Sequence, residues 1–104
     1  MTDDVDFDAQ LASLRENFRA RLPEYHAGLV KARSEFLTSG EEGLRQIRRL
    51  AHTLAGAAGT FGFQEITDLA LDLEATVDAS LAGEPREAVT TPLRQLIREI
   101  ELSL

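Results

Sequence analysis

The chain lacks several residue types that would have pointed to particular chemistry. It contains no cysteine, so disulfide bonds and thiolate metal sites are excluded. Its two histidines do not have the spacing of metal ligands. No apolar run approaches the roughly 18 residues of a membrane span, and the acidic start MTDDVDFD lacks the basic and apolar segments of a signal sequence. We therefore expect a cytoplasmic protein without a membrane segment.

Basic residues are also in the minority. Eleven Lys and Arg against eighteen Asp and Glu give a formal net charge of −7, whereas nucleic-acid binding relies on basic side chains that neutralise phosphates. We expect no nucleic-acid partner. With 104 residues, 43% of them hydrophobic, the chain has the size and composition of a soluble globular protein, and we predict a single domain over residues 1–104.

Apolar residues recur at spacings of three and four along most of the chain, which is typical of amphipathic helices. The first stripe runs from Phe7 to Phe36 and keeps its phase across Pro23, a residue that removes a backbone donor and crowds the preceding turn. We therefore predict an N-terminal helix that is kinked or broken near Pro23.

Three more helices follow from the same periodicity. Their apolar stripes cover residues 44–61, 66–81 and 89–100, and Pro92 either kinks the last helix or begins a separate one. No stretch alternates convincingly with the period of two that is typical of a strand, and short connections favour antiparallel neighbours. The sequence therefore predicts an all-α fold, an antiparallel four-helix bundle.

The segment LAHTLAGAAGTFGF, residues 50–63, is the most informative part of the chain. Its apolar stripe places His52 on the opposite, exposed side of the helix. Gly56 and Gly59 follow on the same face, with Ala55 beside them. Glycine costs roughly 1 kcal/mol relative to alanine in an exposed helix, so the pattern indicates close approach by a partner. We predict a docking surface of Ala55, Gly56 and Gly59 next to His52.

The run H-T-L-A-G-A-A-G-T-F-G from His52 to Gly62 resembles the histidine-containing phosphotransfer (HPt) domain of multistep phosphorelays, and GAAGTFGF is similar to the phosphotransfer domain of chemotaxis histidine kinases. His52, Leu54, Gly56 and Gly62 match the pattern of the family. The resemblance implies a four-helix bundle and a bacterial phosphorelay carrier, in which His52 accepts a phosphoryl group from a receiver aspartate or a kinase and passes it to another receiver.

The same resemblance also indicates which partners the chain has. Response-regulator receiver domains, a histidine kinase or both are the expected partners, and we expect a monomer. The chain has no nucleotide loop of the GxxxxGK[ST] kind. We therefore expect a carrier that is not a turnover enzyme and has no cofactor of its own, with Mg²⁺ arriving on the receiver partner.

The chain departs from the family at Ala55, where a lysine usually stands three residues after the histidine and is thought to hold the phosphoryl group. Arg48 and Arg49 lie four and three residues before His52, and helical side chains lean toward the N-terminus. Our hypothesis is that one of these arginines neutralises the phosphoryl charge. The alternative is that both are solvated surface residues.

Glu74 is the second candidate site residue. In a hairpin that pivots near Gly62 and Phe63, His52 and Glu74 lie at the same height, since each helical residue rises 1.5 Å. The chemotaxis-kinase domains similarly place a glutamate that hydrogen-bonds the imidazole. A carboxylate that accepts from Nδ1–H leaves Nε2 unprotonated and nucleophilic. The alternative for Glu74 is a solvated helix glutamate.

Two other interpretations of the whole chain remain open. In one, the chain is a scaffolding helical bundle whose histidine is incidental. In the other, it is a phosphotransfer domain excised from a chemotaxis-type kinase. The remaining histidine, His26, borders an apolar stripe and is predicted to be half-buried or on the surface, without a role in transfer.

Overall fold

The computed structural model describes residues 3–104, and the side chains of residues 6–104. Within that part the chain is all-helical and contains no strand, which confirms the predicted fold class. The elements are α1 (Asp3–Ser39), α2 (Glu41–Thr60), α3 (Gln64–Leu81), a short 3₁₀ helix (Arg86–Val89) and α4 (Thr90–Ser103).

Helix α1 runs for 37 residues without interruption through Pro23. The predicted break is therefore wrong, and the predicted kink stays a prediction. Proline inside a helix costs about 3 kcal/mol, but Phe18, Leu22 and Leu29 on either side of it are buried. Each such side chain contributes roughly 1.5–3 kcal/mol, and this burial offsets the missing hydrogen bond.

The buried face of each helix follows its apolar stripe. The core is contributed by residues from all four α-helices, among them Phe18, Leu22, Leu29, Leu44, Ile47, Ala51, Leu54, Ile66, Leu73, Val77, Leu93, Leu96 and Ile100. Helix α4 begins two residues before Pro92, so this proline lies in the first turn of a separate helix, where a backbone N–H has no partner within the helix.

The hairpin between α2 and α3 positions the site. Helix α2 ends at Thr60, and the chain reverses at Gly62, whose φ of 85° favours glycine. The N–H of Phe63 donates to the carbonyl of Ala58 at 2.9 Å, and the Phe63 ring is buried beside Phe18. This packing fixes the register in which α3 lies against α2.

Candidate functional site

His52 lies on the outer face of α2, because the apolar stripe of that helix is turned into the core. Its side chain is 72% exposed, which confirms the predicted exposure. Nδ1 lies 2.8 Å from Oε2 of Glu74 on α3, and only 16% of the Glu74 side chain is exposed. The hairpin therefore brings together the two residues that the sequence paired.

The contact fixes the protonation pattern of the neutral ring. An ionised carboxylate can only accept hydrogen bonds, so Nδ1 of His52 carries the proton and donates it to Glu74. Nε2 is then the unprotonated nitrogen, with its lone pair available. A ring held in this way presents a nucleophile to the solvent.

Arg48 is already engaged by α3. Its Nε donates to Oδ1 of Asp78, and its Nη2 lies 4.0 Å from Oε2 of Glu74. The hydrogen bond to Asp78 and the charge of that carboxylate raise the pKa of Arg48 above its ordinary value. Arg49 is exposed and has no hydrogen-bond or ion-pair partner within residues 6–104.

The small residues next to His52 have different surroundings. Gly56 is exposed, and a Cβ built there would meet nothing within 4 Å. At Gly59, which is also exposed, a Cβ would lie 3.1 Å from Oγ1 of Thr67. The glycine at position 59 therefore has a reason inside the protein as well, whereas Gly56 borders open space.

The prediction that Ala55 lies on the exposed docking surface is wrong. Ala55 is only 6% exposed, and the hydroxyl of Thr67 donates to its carbonyl at 3.0 Å. The reason is that α2 packs against both α1 and α3, so its buried face is wider than the stripe predicted for it. Ala55 contributes to the packing of α3 on α2.

The sequence profile of the Hpt domain family matches residues 13–103. The chain belongs to the Hpt domain family. Neither a curated protein nor a solved structure matches it. Hpt domains carry phosphoryl groups on histidine in phosphorelays, where they interact with receiver domains and kinases. They are carriers and not classical enzymes.

Two features of this Hpt domain were missed by reasoning from the sequence. Asp78, which holds Arg48, was not considered, although it follows Glu74 by four residues just as Arg48 precedes His52 by four. The hairpin register that paired His52 with Glu74 therefore also predicts this second pair. Thr67 gave no comparable signal, because its contact depends on how closely α3 approaches α2.

The rest of the described chain adds two observations. Within its described residues, no three or more His, Cys, Asp or Glu side chains lie together so that they could hold a metal ion. No described helix is both long and apolar enough to cross a bilayer. His26, on α1, donates through Nε2 to Oε2 of Glu101 at 2.8 Å, and its side chain is 26% exposed. His26 is half-buried, as predicted.

Proposed function

We propose that this Hpt domain is a phosphorelay intermediate that accepts a phosphoryl group on Nε2 of His52 from a receiver aspartate or a kinase and passes it to another receiver. One observation carries the proposal: an imidazole that is 72% exposed donates through Nδ1 to a largely buried carboxylate. That arrangement supplies a fixed nucleophile and leaves the reacting nitrogen on the open side.

In the proposed step, the lone pair of Nε2 attacks the phosphorus of a receiver's aspartyl phosphate in line with the bond that breaks. The N–P bond forms, the P–O bond breaks, and its electron pair stays on the aspartate carboxylate. Positive charge develops on the ring, and Glu74 stabilises it by accepting from Nδ1–H. Return of the group to another aspartate reverses these steps, so no substrate is turned over.

The negative charge of the phosphoryl group must also be neutralised, since alignment and charge stabilisation dominate phosphoryl transfer. Arg49 is the better of the two candidate arginines, because Arg48 is bound to Asp78. We expect Mg²⁺ for the reaction to be held by the receiver partner.

The docking surface proposed for that partner includes Gly56 and the exposed edge at Gly59. A side chain at Gly56 would project into open space next to His52, so its absence lets another protein approach the ring. We infer further that the domain acts as a cytoplasmic monomer over residues 1–104 and does not bind nucleic acid.

We also infer that neighbouring helices run antiparallel and that α1 is kinked at Pro23. The antiparallel arrangement is supported by the order of contacts in the hairpin. Arg48 and His52, in sequence order along α2, contact Asp78 and Glu74, which come in the opposite order along α3. Gly28 and Phe36, in sequence order along α1, likewise lie beside Leu50 and Gly43, which come in the opposite order along α2.

Labelling by phosphorylated receivers tests the proposed function. A panel of receivers charged with a small phosphodonor, and separately a kinase domain with ATP, is mixed with the wild type, His52→Gln and His26→Gln. We expect acid-labile, base-stable label on the wild type and on His26→Gln, and none on His52→Gln. Label that survives in His52→Gln would place the phosphoryl group on another residue and contradict the proposal. A wild type that no donor labels would leave a scaffolding bundle as the better explanation.

A further inference from the structure

The carboxylate of Glu74 has two nitrogen-bearing neighbours, and only one of them is permanently charged. Its Oε2 atom lies 2.8 Å from Nδ1 of His52 and 4.0 Å from Nη2 of Arg48. The second distance is too long for a hydrogen bond, so Arg48 acts on Glu74 through its charge. When the imidazole is neutral, as attack by Nε2 requires, Arg48 supplies the only positive charge within 4 Å of Glu74 in residues 6–104.

That charge matters because Glu74 is largely removed from water. With 16% of its side chain exposed, Glu74 is weakly screened by solvent, so the charge of a nearby cation acts on it strongly. Arginine is protonated at every relevant pH. The guanidinium therefore attracts the Glu74 carboxylate and restrains it beside Nδ1 of His52.

Asp78 determines where that guanidinium lies. It accepts from Nε of Arg48, and it stands one helical turn after Glu74 on the same face of α3. The two carboxylates thus hold Arg48 from the α3 side. To reach a phosphoryl group on Nε2, Arg48 would have to give up Asp78.

We propose that Arg48 is a positioning residue for transfer at His52: Asp78 anchors it, and its guanidinium holds the Glu74 carboxylate in place and directed at Nδ1. The inference rests on the proposed function of His52. The two arginines then have different roles. Arg48 acts through Glu74, and Arg49 is the residue that neutralises the charge of the phosphoryl group.

A double-mutant cycle on the transfer rate tests whether Arg48 acts through Glu74. We expect Arg48→Ala to slow transfer from a receiver about three- to tenfold in the wild type, and less than about twofold in a Glu74→Gln background, because residues that act through one another are not additive. An equal loss in both backgrounds would mean that Arg48 acts on the phosphoryl group directly and would overturn the proposal.

Asp78→Asn gives a second, independent test, because it releases Arg48 without removing it. We expect slower transfer and a smaller population of the Nδ1–H tautomer of His52, read from the ¹⁵N shifts of the neutral ring. Faster transfer, or an unchanged tautomer population, would contradict the anchoring role. If Asp78 had only a structural role, the tautomer population of His52 would not change.

Two control variants complete the design. Arg45→Ala removes an exposed arginine whose partner, Glu41, belongs to the same helix, and it should leave both readouts unchanged. Arg48→Lys keeps the charge and should restore at least half of the rate lost in Arg48→Ala; no rescue would count against the charge argument. The tautomer is measured on unphosphorylated protein, so a failure of labelling at His52 and a failure of this proposal are distinguishable.

Discussion

Two histidine–glutamate pairs with the same 2.8 Å contact differ in which partner is exposed. In the pair between α2 and α3, the His52 ring is 72% exposed and the Glu74 side chain 16%. In the pair between α1 and α4, the His26 ring is 26% exposed and the Glu101 side chain 54%. One pair therefore presents its imidazole to the solvent, and the other presents its carboxylate.

The two pairs also use different ring nitrogens. His52 donates through Nδ1 and leaves Nε2, the nitrogen at the tip of the ring, without a proton. His26 donates through Nε2, which places the proton at the tip and leaves the inner nitrogen as the base. The contact distance therefore does not distinguish the two histidines, whereas the exposure of the ring and the nitrogen it uses do, and both support His52 as the proposed phosphoacceptor.

The largest expected difference between the two pairs is in the transfer rates of the variants Glu74→Gln and Glu101→Gln. We expect Glu74→Gln to slow transfer from a receiver by about 10- to 100-fold, because a hydrogen bond to a charged group contributes roughly 1.5–3 kcal/mol. Glu101→Gln should stay within about twofold of the wild type. Initial rates under matched receiver concentrations measure both, and equal losses would remove the distinction between the pairs.

Changes at the two glycines sharpen the claim that the His52 side is open to a partner. Gly56→Ala should stabilise the fold by up to about 1 kcal/mol, since alanine is the better helix former and its Cβ meets nothing. Gly59→Ala should gain less or lose stability because its Cβ would press on Thr67. Denaturant unfolding measures both changes.

Gly56→Ala should nevertheless slow transfer, and a bulkier Gly56→Gln should slow it more, because each side chain stands between His52 and a docking receiver. Gly56→Ala is thus expected to raise the free energy of unfolding and to lower the transfer rate. A stabilised Gly56→Ala that transfers at the wild-type rate would argue against docking at this surface.

A smaller effect on stability is expected from the pair of His26 and Glu101. His26→Gln should lower the free energy of unfolding by about 0.5–1.5 kcal/mol, the range for a side-chain hydrogen bond, because the contact joins α1 to α4. His52→Gln should lower it less, since its ring is the more exposed. Urea melts of the two variants at one pH provide the comparison, and the reverse order would contradict it.

The smallest effect concerns a pair that contains no histidine. Arg45 donates to Glu41 and lowers the pKa of that carboxyl below its ordinary value of 4.5. Folding is therefore favoured slightly at pH values above 4.5, and this contribution is lost as the pH falls through the lowered pKa. Glu41→Gln should reduce Tm slightly at pH 7, and the difference from the wild type should shrink as the pH falls through the lowered pKa.

The positions of the helices and the pairing of His52 with Glu74 could be predicted because they depend on local rules. Apolar spacing determines which face of α2 is buried, and the rise per residue with one turn at Gly62 sets the register of the hairpin. Asp78 follows from the same register. These inferences need no knowledge of side-chain packing.

The burial of Ala55 and the continuity of α1 through Pro23 depend instead on packing between helices. Ala55 is covered because α3 approaches α2 closely, with the Thr67 hydroxyl bonded to the Ala55 carbonyl. Pro23 is tolerated because of the side chains buried around it. The apolar pattern of a single helix does not predict either of these contacts, because both depend on a neighbouring helix.

The nitrogen that carries the phosphoryl group is the most direct test of the central claim. ¹⁵N- and ³¹P-detected NMR of the domain, phosphorylated by a receiver, should show one N–P bond at Nε2 of His52 and an unmodified His26. A phosphoryl group on Nδ1 of His52, or on His26, would contradict the account, because the Glu74 contact would then not leave the reacting nitrogen free.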